Sequence, residues 1–319
     1  MNTPNSEQET TKKSYSVLIL FVIGLAAISS AVNDLNQLHR LSFQAQELVA
    51  ALSDVVVPTA SASAPPSVCV EKFVVQNAKT SDQFQWSGQV ASGSAVEIKN
   101  INGGITAEQG TGTALEVVAI KKSRRSDVDS VHIKVEQHAG GVTVCVLYPN
   151  EDGEYADGCN GEGKNFDNGV RNNDVSVDFT VRIPAQVNLV AKNVNGGINA
   201  VSLSGNVAAK TVNGSIKIST SGFAEAASVN GEINARFTDA NWSKALSFKT
   251  VNGQINLDLP ANISTSVDAQ TMNGAINSDF PLEVTNLKGR KSVKGVIGSG
   301  GRELVLKTLN GSINLRIAG

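Results

Sequence analysis

Val212-Asn213-Gly214-Ser215-Ile216, Val229-Asn230-Gly231-Glu232-Ile233 and Val251-Asn252-Gly253-Gln254-Ile255 are three copies of one pentapeptide: apolar, Asn, Gly, any residue, Ile. Working outward, the same pattern reads Ile101-Asn102-Gly103-Gly104-Ile105, Val194-Asn195-Gly196-Gly197-Ile198, Met272-Asn273-Gly274-Ala275-Ile276 and Leu309-Asn310-Gly311-Ser312-Ile313. A degenerate copy, Val293-Lys294-Gly295-Val296-Ile297, has lysine in place of asparagine. From Asn195 onward the motif advances by 18, 17, 22, 21, 21 and 16 residues. A recurring period near 20 is the signature of a repeat architecture.

Asn-Gly is a strong turn signal, because glycine reaches positive φ without a Cβ clash and asparagine tolerates the left-handed region. The flanking residues are mostly β-branched, which suits a pleated, half-buried surface. Alternation along Ile216-Lys217-Ile218 sends the isoleucines to one face and the lysine to the other. Two all-β folds can use such a unit. In a hairpin meander, each Asn-Gly joins antiparallel strands. In a β-solenoid, or β-helix, each Asn-Gly is one corner of a coil. Midway between copies lies a variable turn, such as Ser204-Gly205-Asn206, Ser221-Gly222 or Pro260-Ala261-Asn262. Length variation is absorbed there while the pentapeptide stays fixed, which favours the solenoid.

The 319 residues carry a net charge of −2 and 5% aromatics. That balance gives no reason to expect nucleic acid. The N-terminus divides by composition. Residues 1–14 are polar and read as a cytoplasmic tail. Residues 15–32 are apolar and about 27 Å long as a helix, enough for a transmembrane signal anchor. Lys12 and Lys13 precede the run, so the positive-inside rule exports everything after Val32. Ser29-Ser30-Ala31 leaves a cleaved signal peptide as the competing reading. Residues 33–57 continue as an amphipathic helix with Leu38, Leu41, Ala45, Leu48, Leu52 and Val55 in heptad steps. That seam suits either self-association or contact with lipid. Residues 58–67 form a Pro/Ala/Ser linker. A β region over 68–173 and a solenoid over 174–319 follow. The expected address is membrane-anchored, with the bulk of the chain periplasmic or extracellular.

Strands are expected at 73–75, 84–86, 95–98, 114–120, 131–135 and 142–147. Lys121-Lys122-Ser123-Arg124-Arg125 reads as a solvated turn in preference to an anionic-polymer contact. The 149–174 loop holds Asp152, Glu154, Asp157, Asp167 and Asp174, whose spacing fits no calcium-loop pattern, so no metal is expected. Of the three cysteines, Cys145 and Cys159 are the disulfide candidates, stapling this loop to its parent strand and leaving Cys69 unpaired.

Gly140-Gly141-Val142-Thr143-Val144-Cys145, Asp174 to Pro184, Ile276 to Leu282, and the ending from Gly298-Ser299-Gly300-Gly301 through Leu309-Asn310-Gly311-Ser312-Ile313 are similar to a bacterial domain-of-unknown-function family labelled "putative adhesin". The resemblance covers roughly Phe84 to Gly319, with Lys294 as its departure. It implies a β-solenoid-like exported domain and carries no catalytic residues.

Acids or bases clustered across neighbouring coils would mark a polysaccharide-acting β-helix enzyme. The variable motif position holds one acid, Glu232, and none beside it. His132 and His138 read as surface residues. The expectation is therefore a non-enzymatic adhesion or envelope scaffold without cofactors, whose partners are the membrane and an envelope glycan or protein. An extracytoplasmic partner or sensor of an envelope-stress system is the alternative. The candidate binding residues follow the repeated isoleucine: Asn199, Lys217, Asn234, Asn256, Asn277 and Asn314, with Thr106 in the first copy. Alternation sends this row outward as a polar stripe, there either to bond amide to amide or to meet a repetitive ligand.

Overall fold

Every asparagine-glycine repeat folds as a coil of two short strands, one running into the corner and one leaving it. The computed structural model describes residues 81–150, 153–155, 159, 172–239, 242, 244–282, 285–287 and 290–318. The tail, apolar run, heptad helix and linker of residues 1–67 lie outside the described residues. So do Cys69, the 73–75 strand and three of the loop acids, Asp152, Asp157 and Asp167. Among the described residues no helix is long and apolar enough to cross a membrane.

The described strands are β1 (Ser81–Gln89), β2 (Ala95–Lys99), β3 (Ile105–Gln109), β4 (Ala114–Lys122), β5 (His132–His138), β6 (Gly141–Leu147) and β7 (Ser176–Ile183). Next come β8 (Asn188–Lys192), β9 (Ile198–Leu203), β10 (Val207–Asn213), β11 (Ile216–Thr220), β12 (Ala224–Asn230), β13 (Ile233–Phe237) and β14 (Leu246–Asn252). The chain closes with β15 (Ile255–Leu259), β16 (Thr265–Asn273), β17 (Ile276–Ser278), β18 (Thr285–Leu287), β19 (Arg290–Ile297), β20 (Glu303–Asn310) and β21 (Ile313–Ile317).

Two sheets result. The leading sheet, whose strands run into corners, has the order β18-β19-β16-β20-β14-β12-β10-β8-β2-β6-β5. The trailing sheet reads β1-β4-β7-β3-β9-β11-β13-β15-β21-β17. Neighbouring coils pair in parallel, with Asn213 opposite Asn230, Asn230 opposite Asn252, and Ile216 opposite Ile233. Parallel pairing is the solenoid solution and rules out the meander. Between the sheets lie the repeated isoleucines, Ile105, Ile198, Ile216, Ile233, Ile255, Ile276 and Ile313, all buried. Small residues such as Ala209, Ala226 and Ala235 let the sheets approach. Between Asn230 and Asn252 the spacing is 22 residues against 17 for the coil before it, and the extra length brings in Trp242. Its ring lies 5.7 Å from Phe237, which packs 6.1 Å from Phe248.

Coil order in space departs from coil order in sequence at both ends. The last coil, β20–β21, sits between β14–β15 and β16–β17. The first, β2–β3, sits between β6–β7 and β8–β9. The expected boundary at residue 174 therefore corrects to a solenoid that includes β2, β3 and β6. Lys294 and Gly295 also correct. They are no corner but lie inside β19, which runs antiparallel to β16 with Asp268 opposite Lys294 and Val267 opposite Gly295. Lysine carries no acceptor and cannot replace asparagine in a stack of amides. The chain turns back instead at Gly298, Gly300 and Gly301, with φ of 59°, 76° and 135°. Antiparallel β19 and β5 cover the two parallel edges of the leading sheet and β4 with β1 one edge of the trailing sheet, whose other edge is the three-residue β17.

Candidate functional site: the corner and its outward rows

The corner is built from four consecutive side-chain decisions. The residue before the pentapeptide points inward and is polar: Thr211, Ser228, Thr250, Thr271 and Thr308 are buried. Each hydroxyl donates to the corner glycine carbonyl of the neighbouring coil. Thr211 reaches Gly196 at 3.0 Å, Ser228 Gly214 at 3.0 Å, Thr250 Gly231 at 2.9 Å, Thr308 Gly253 at 2.9 Å and Thr271 Gly311 at 2.8 Å. Toward the first coils asparagine takes over, with Asn193 Nδ2 donating to Gly103 O at 2.7 Å. A buried polar group without such a partner would be costly.

The apolar residue that opens the pentapeptide points outward. The asparagine follows, and its amides form one continuous ladder along the solenoid. In spatial order the members are Asn102, Asn195, Asn213, Asn230, Asn252, Asn310 and Asn273. Each Nδ2 donates to the preceding Oδ1 at 2.7–2.9 Å. All six bonds run the same way, so they polarise one another. At the Asn102 end the ladder meets Tyr148, which bonds Asn102 and donates to Val175 O at 2.8 Å. Burial pushes the Tyr148 phenol above its ordinary range, and the Asn102 bonds oppose that.

The glycine comes last. A Cβ on Gly214, Gly231, Gly253, Gly274 or Gly311 would lie 1.8–2.1 Å from the carbonyl oxygen of the adjacent corner glycine. Close stacking, more than turn conformation, is what these five require. Only Gly103 and Gly196, at φ of 110° and 153°, also hold the positive φ expected of the corner.

The stripe after the isoleucine lies on the outer face of the trailing sheet. Asn256 donates to Asn234 at 2.8 Å, Asn314 to Asn256 at 2.7 Å and Asn277 to Asn314 at 2.8 Å. Asn234 in turn is hydrogen-bonded to Glu232. Lys217 cannot accept and interrupts the row. On its far side, Asn199 opposes both Lys217 and Thr106, and its Oδ1 is buried without a hydrogen-bond partner among the described residues.

The remaining candidates are engaged structurally. Cys145 and Cys159 are joined by a disulfide with Cα atoms 5.6 Å apart. The Lys121 ammonium lies 2.7 Å from Asp82, and Lys122 lies 3.1 Å from Asp178. Asp174 accepts from the backbone N–H groups of Arg124, Arg125 and Ser126, which hold its carboxyl down at about 2. His138 pairs with Thr143, and His132 packs edge-on against Tyr155. No cluster of metal-ligating side chains occurs among the described residues.

The geometry defines a class: a parallel, two-sheet β-solenoid whose corners are stacked Asn-Gly units. More particularly, the chain belongs to the Toastrack DUF4097 family, whose model matches residues 89–316. No curated protein matches it. Among solved structures it is similar to a "putative cell adhesion protein" from Clostridium sporogenes, at 12% identity and a TM-score of 0.40, over 74% of this chain and 99% of that one. It is also similar to a "putative adhesin" from Bacteroides fragilis, at 13% identity and a TM-score of 0.30, over 73% of this chain and 96% of that one.

Proposed function

We propose that the protein is a membrane-anchored, exported adhesion or envelope scaffold that binds by repetition and carries out no reaction of its own. One observation carries this reading. The outward rows present the same side chain in the same orientation on coil after coil, about 4.8 Å apart. An enzyme needs unlike groups converging on one reacting atom. A binding surface for a repetitive partner needs like groups at a fixed interval. Each interior ladder amide uses one N–H and one oxygen lone pair along the row, which leaves a second N–H and a second lone pair for a partner.

Lys12, Lys13 and the apolar run at 15–32 support an outward-facing solenoid on an anchor. The test is protease added to spheroplasts producing the tagged full chain. Digestion or release of the region after Val32 is expected. Full protection of that region would refute the export reading.

A further inference from the structure

The outer face of the leading sheet carries a second feature that the pentapeptide does not include. Three residues before the corner asparagine stands a row of lysines. Lys99 opposes Lys192, Lys192 opposes Lys210, and Lys249 opposes Lys307. Ala227 fills the step between Lys210 and Lys249, and Gln270 continues the row beyond Lys307. Two residues further away from the corner lie three carboxylates. Glu97 takes Lys192 at 2.7 Å and Lys99 at 3.4 Å, Asp268 lies 3.8 Å from Lys307, and Glu225 faces Lys210 and Lys249. Lys99 is buried and donates to Cys159 O at 3.3 Å, so the row that reaches solvent is Lys192, Lys210, Lys249 and Lys307, four lysines against three acids.

On the corner side of the lysines the surface changes. The outward apolar residue of each pentapeptide forms a ridge from Ile101 to Met272. Val212, Leu309 and Met272 are 39%, 38% and 37% exposed. Beyond the ridge stands the amide ladder. The face therefore contains a lane bounded by lysines on one side and amides on the other, with an aliphatic floor between. Three residues of strand set its width at about 10 Å, and the six coils from Lys192 to Gln270 set its length at roughly 24 Å. All three lines share one repeat, and the acids lie outside the lane.

We propose that this lane binds a linear acidic polysaccharide lying along the solenoid axis. A pyranose ring offers an apolar C–H face to the floor, hydroxyls to the amides and a carboxylate to the lysines, and a polymer repeats that set ring by ring. A bilayer would also meet the acid row, which repels anionic headgroups. An acidic peptide has no array of hydroxyls for the ladder. The crowding of cations agrees with an anionic ligand. Burial holds Lys210 down at about 8, with Lys192 and Lys249 adding repulsion and Glu225 opposing it. A bound carboxylate would offset that repulsion. The inference rests on the binding-scaffold reading and gives it a ligand class.

The test measures binding of polygalacturonate, one carboxylate per ring, to the purified full chain in detergent at low salt. The variant K192Q/K210Q/K249Q uses a residue the row already accepts at Gln270. It is expected to bind at least tenfold more weakly while melting like the wild type. Ala227→Lys fills the gap and is expected to bind more tightly. Val212→Thr with Val251→Thr keeps the β-branched shape but wets the floor, and is expected to weaken binding several-fold. Raising the pH from 7 to 9 is expected to weaken binding as Lys210 loses its proton. Neutral dextran is expected not to bind. Unchanged binding by the triple variant, or no gain from Ala227→Lys, would overturn the proposal even if one variant folded poorly. So would equal affinity for polyglutamate or phosphatidylglycerol vesicles. A chain that is exported in the spheroplast assay yet fails these tests refutes the lane alone and leaves the scaffold reading standing.

Discussion

Replacing Gly253 by alanine puts the stacked corner to its hardest test. The added Cβ would lie 2.0 Å from Gly231 O. Ordinary contact begins near 3.4 Å, so the two coils must part by roughly 1.4 Å at the corner. That displacement takes three bonds out of range: Gly231 N–H to Asn252 O at 3.0 Å, Thr250 Oγ1 to Gly231 O at 2.9 Å, and Asn252 Nδ2 to Asn230 Oδ1 at 2.8 Å. At about 1 kcal/mol each, their loss amounts to about 3 kcal/mol. Overpacking strain adds about 1–3 kcal/mol. Relaxation shares some of the load, so we expect about 4 kcal/mol and a melting temperature lower by roughly 10 °C. Gly104→Ala is the control, because its Cβ would meet nothing closer than 3.8 Å. It is expected to melt within about 1 °C of wild type. Thermal denaturation followed by circular dichroism reads both. If Gly253→Ala melts like Gly104→Ala, the corners are not in close contact and the explanation of the repeated glycine is wrong.

Three further outcomes follow from the same geometry. Thr250→Val keeps the shape but leaves Gly231 O without its buried donor, so stability is expected to fall by about 1–3 kcal/mol in denaturant melts. Cys145→Ser and Cys159→Ser each open a loop of sequence separation 14 and are expected to lower stability by about 3 kcal/mol, whereas Cys69→Ser should leave the melt unchanged. Asp174 has its carboxyl held at about 2 by backbone N–H groups, below its ordinary 3.8. The stability it supplies is complete above pH 3.8 and is lost as the pH falls through about 2. Asp174→Asn is therefore expected to melt lower than wild type at pH 7, with the difference shrinking at pH 2. A constant difference across that window would refute the assignment.

The corner explains why length varies where it does. At Asn230, four neighbours must fit at once: the Ser228 hydroxyl latch, the Asn213 and Asn252 amides on either side, and the bare Gly231. An inserted residue would break all of them in two adjacent coils. On the opposite side a comparable stack is confined to the Gly205 and Gly222 turns, where Thr220 latches Gly205 O at 2.6 Å, and beyond it the stretch between Phe237 and Leu246 lengthens and contributes Trp242 to the core.

Much of this was legible in the sequence. The period, the inward isoleucines and the outward phase of Asn234, Asn256 and Asn277 all follow from a two-residue alternation around Asn-Gly. The hydroxyl latch was legible too, but not from the pentapeptide. Alternation makes position 250 an inward site, and threonine there is a polar residue in an apolar phase, which signals a buried partner. The lysine row likewise stands at a constant three residues before the asparagine, at 99, 192, 210, 249 and 307, just upstream of the motif. Coil order is different in kind. Seven corners carry nearly the same Asn-Gly unit, so any of them could stack on any other, and local sequence cannot rank the pairings. At the C-terminal end the degenerate copy bears on the order. Lys294 cannot enter the amide ladder, so its strand turns antiparallel along β16. The strand after it, β20, then pairs with the other edge of β16, between β16 and β14. One lysine in place of one asparagine thus separates a capping strand from a coil, and with it the spatial order of the last two coils.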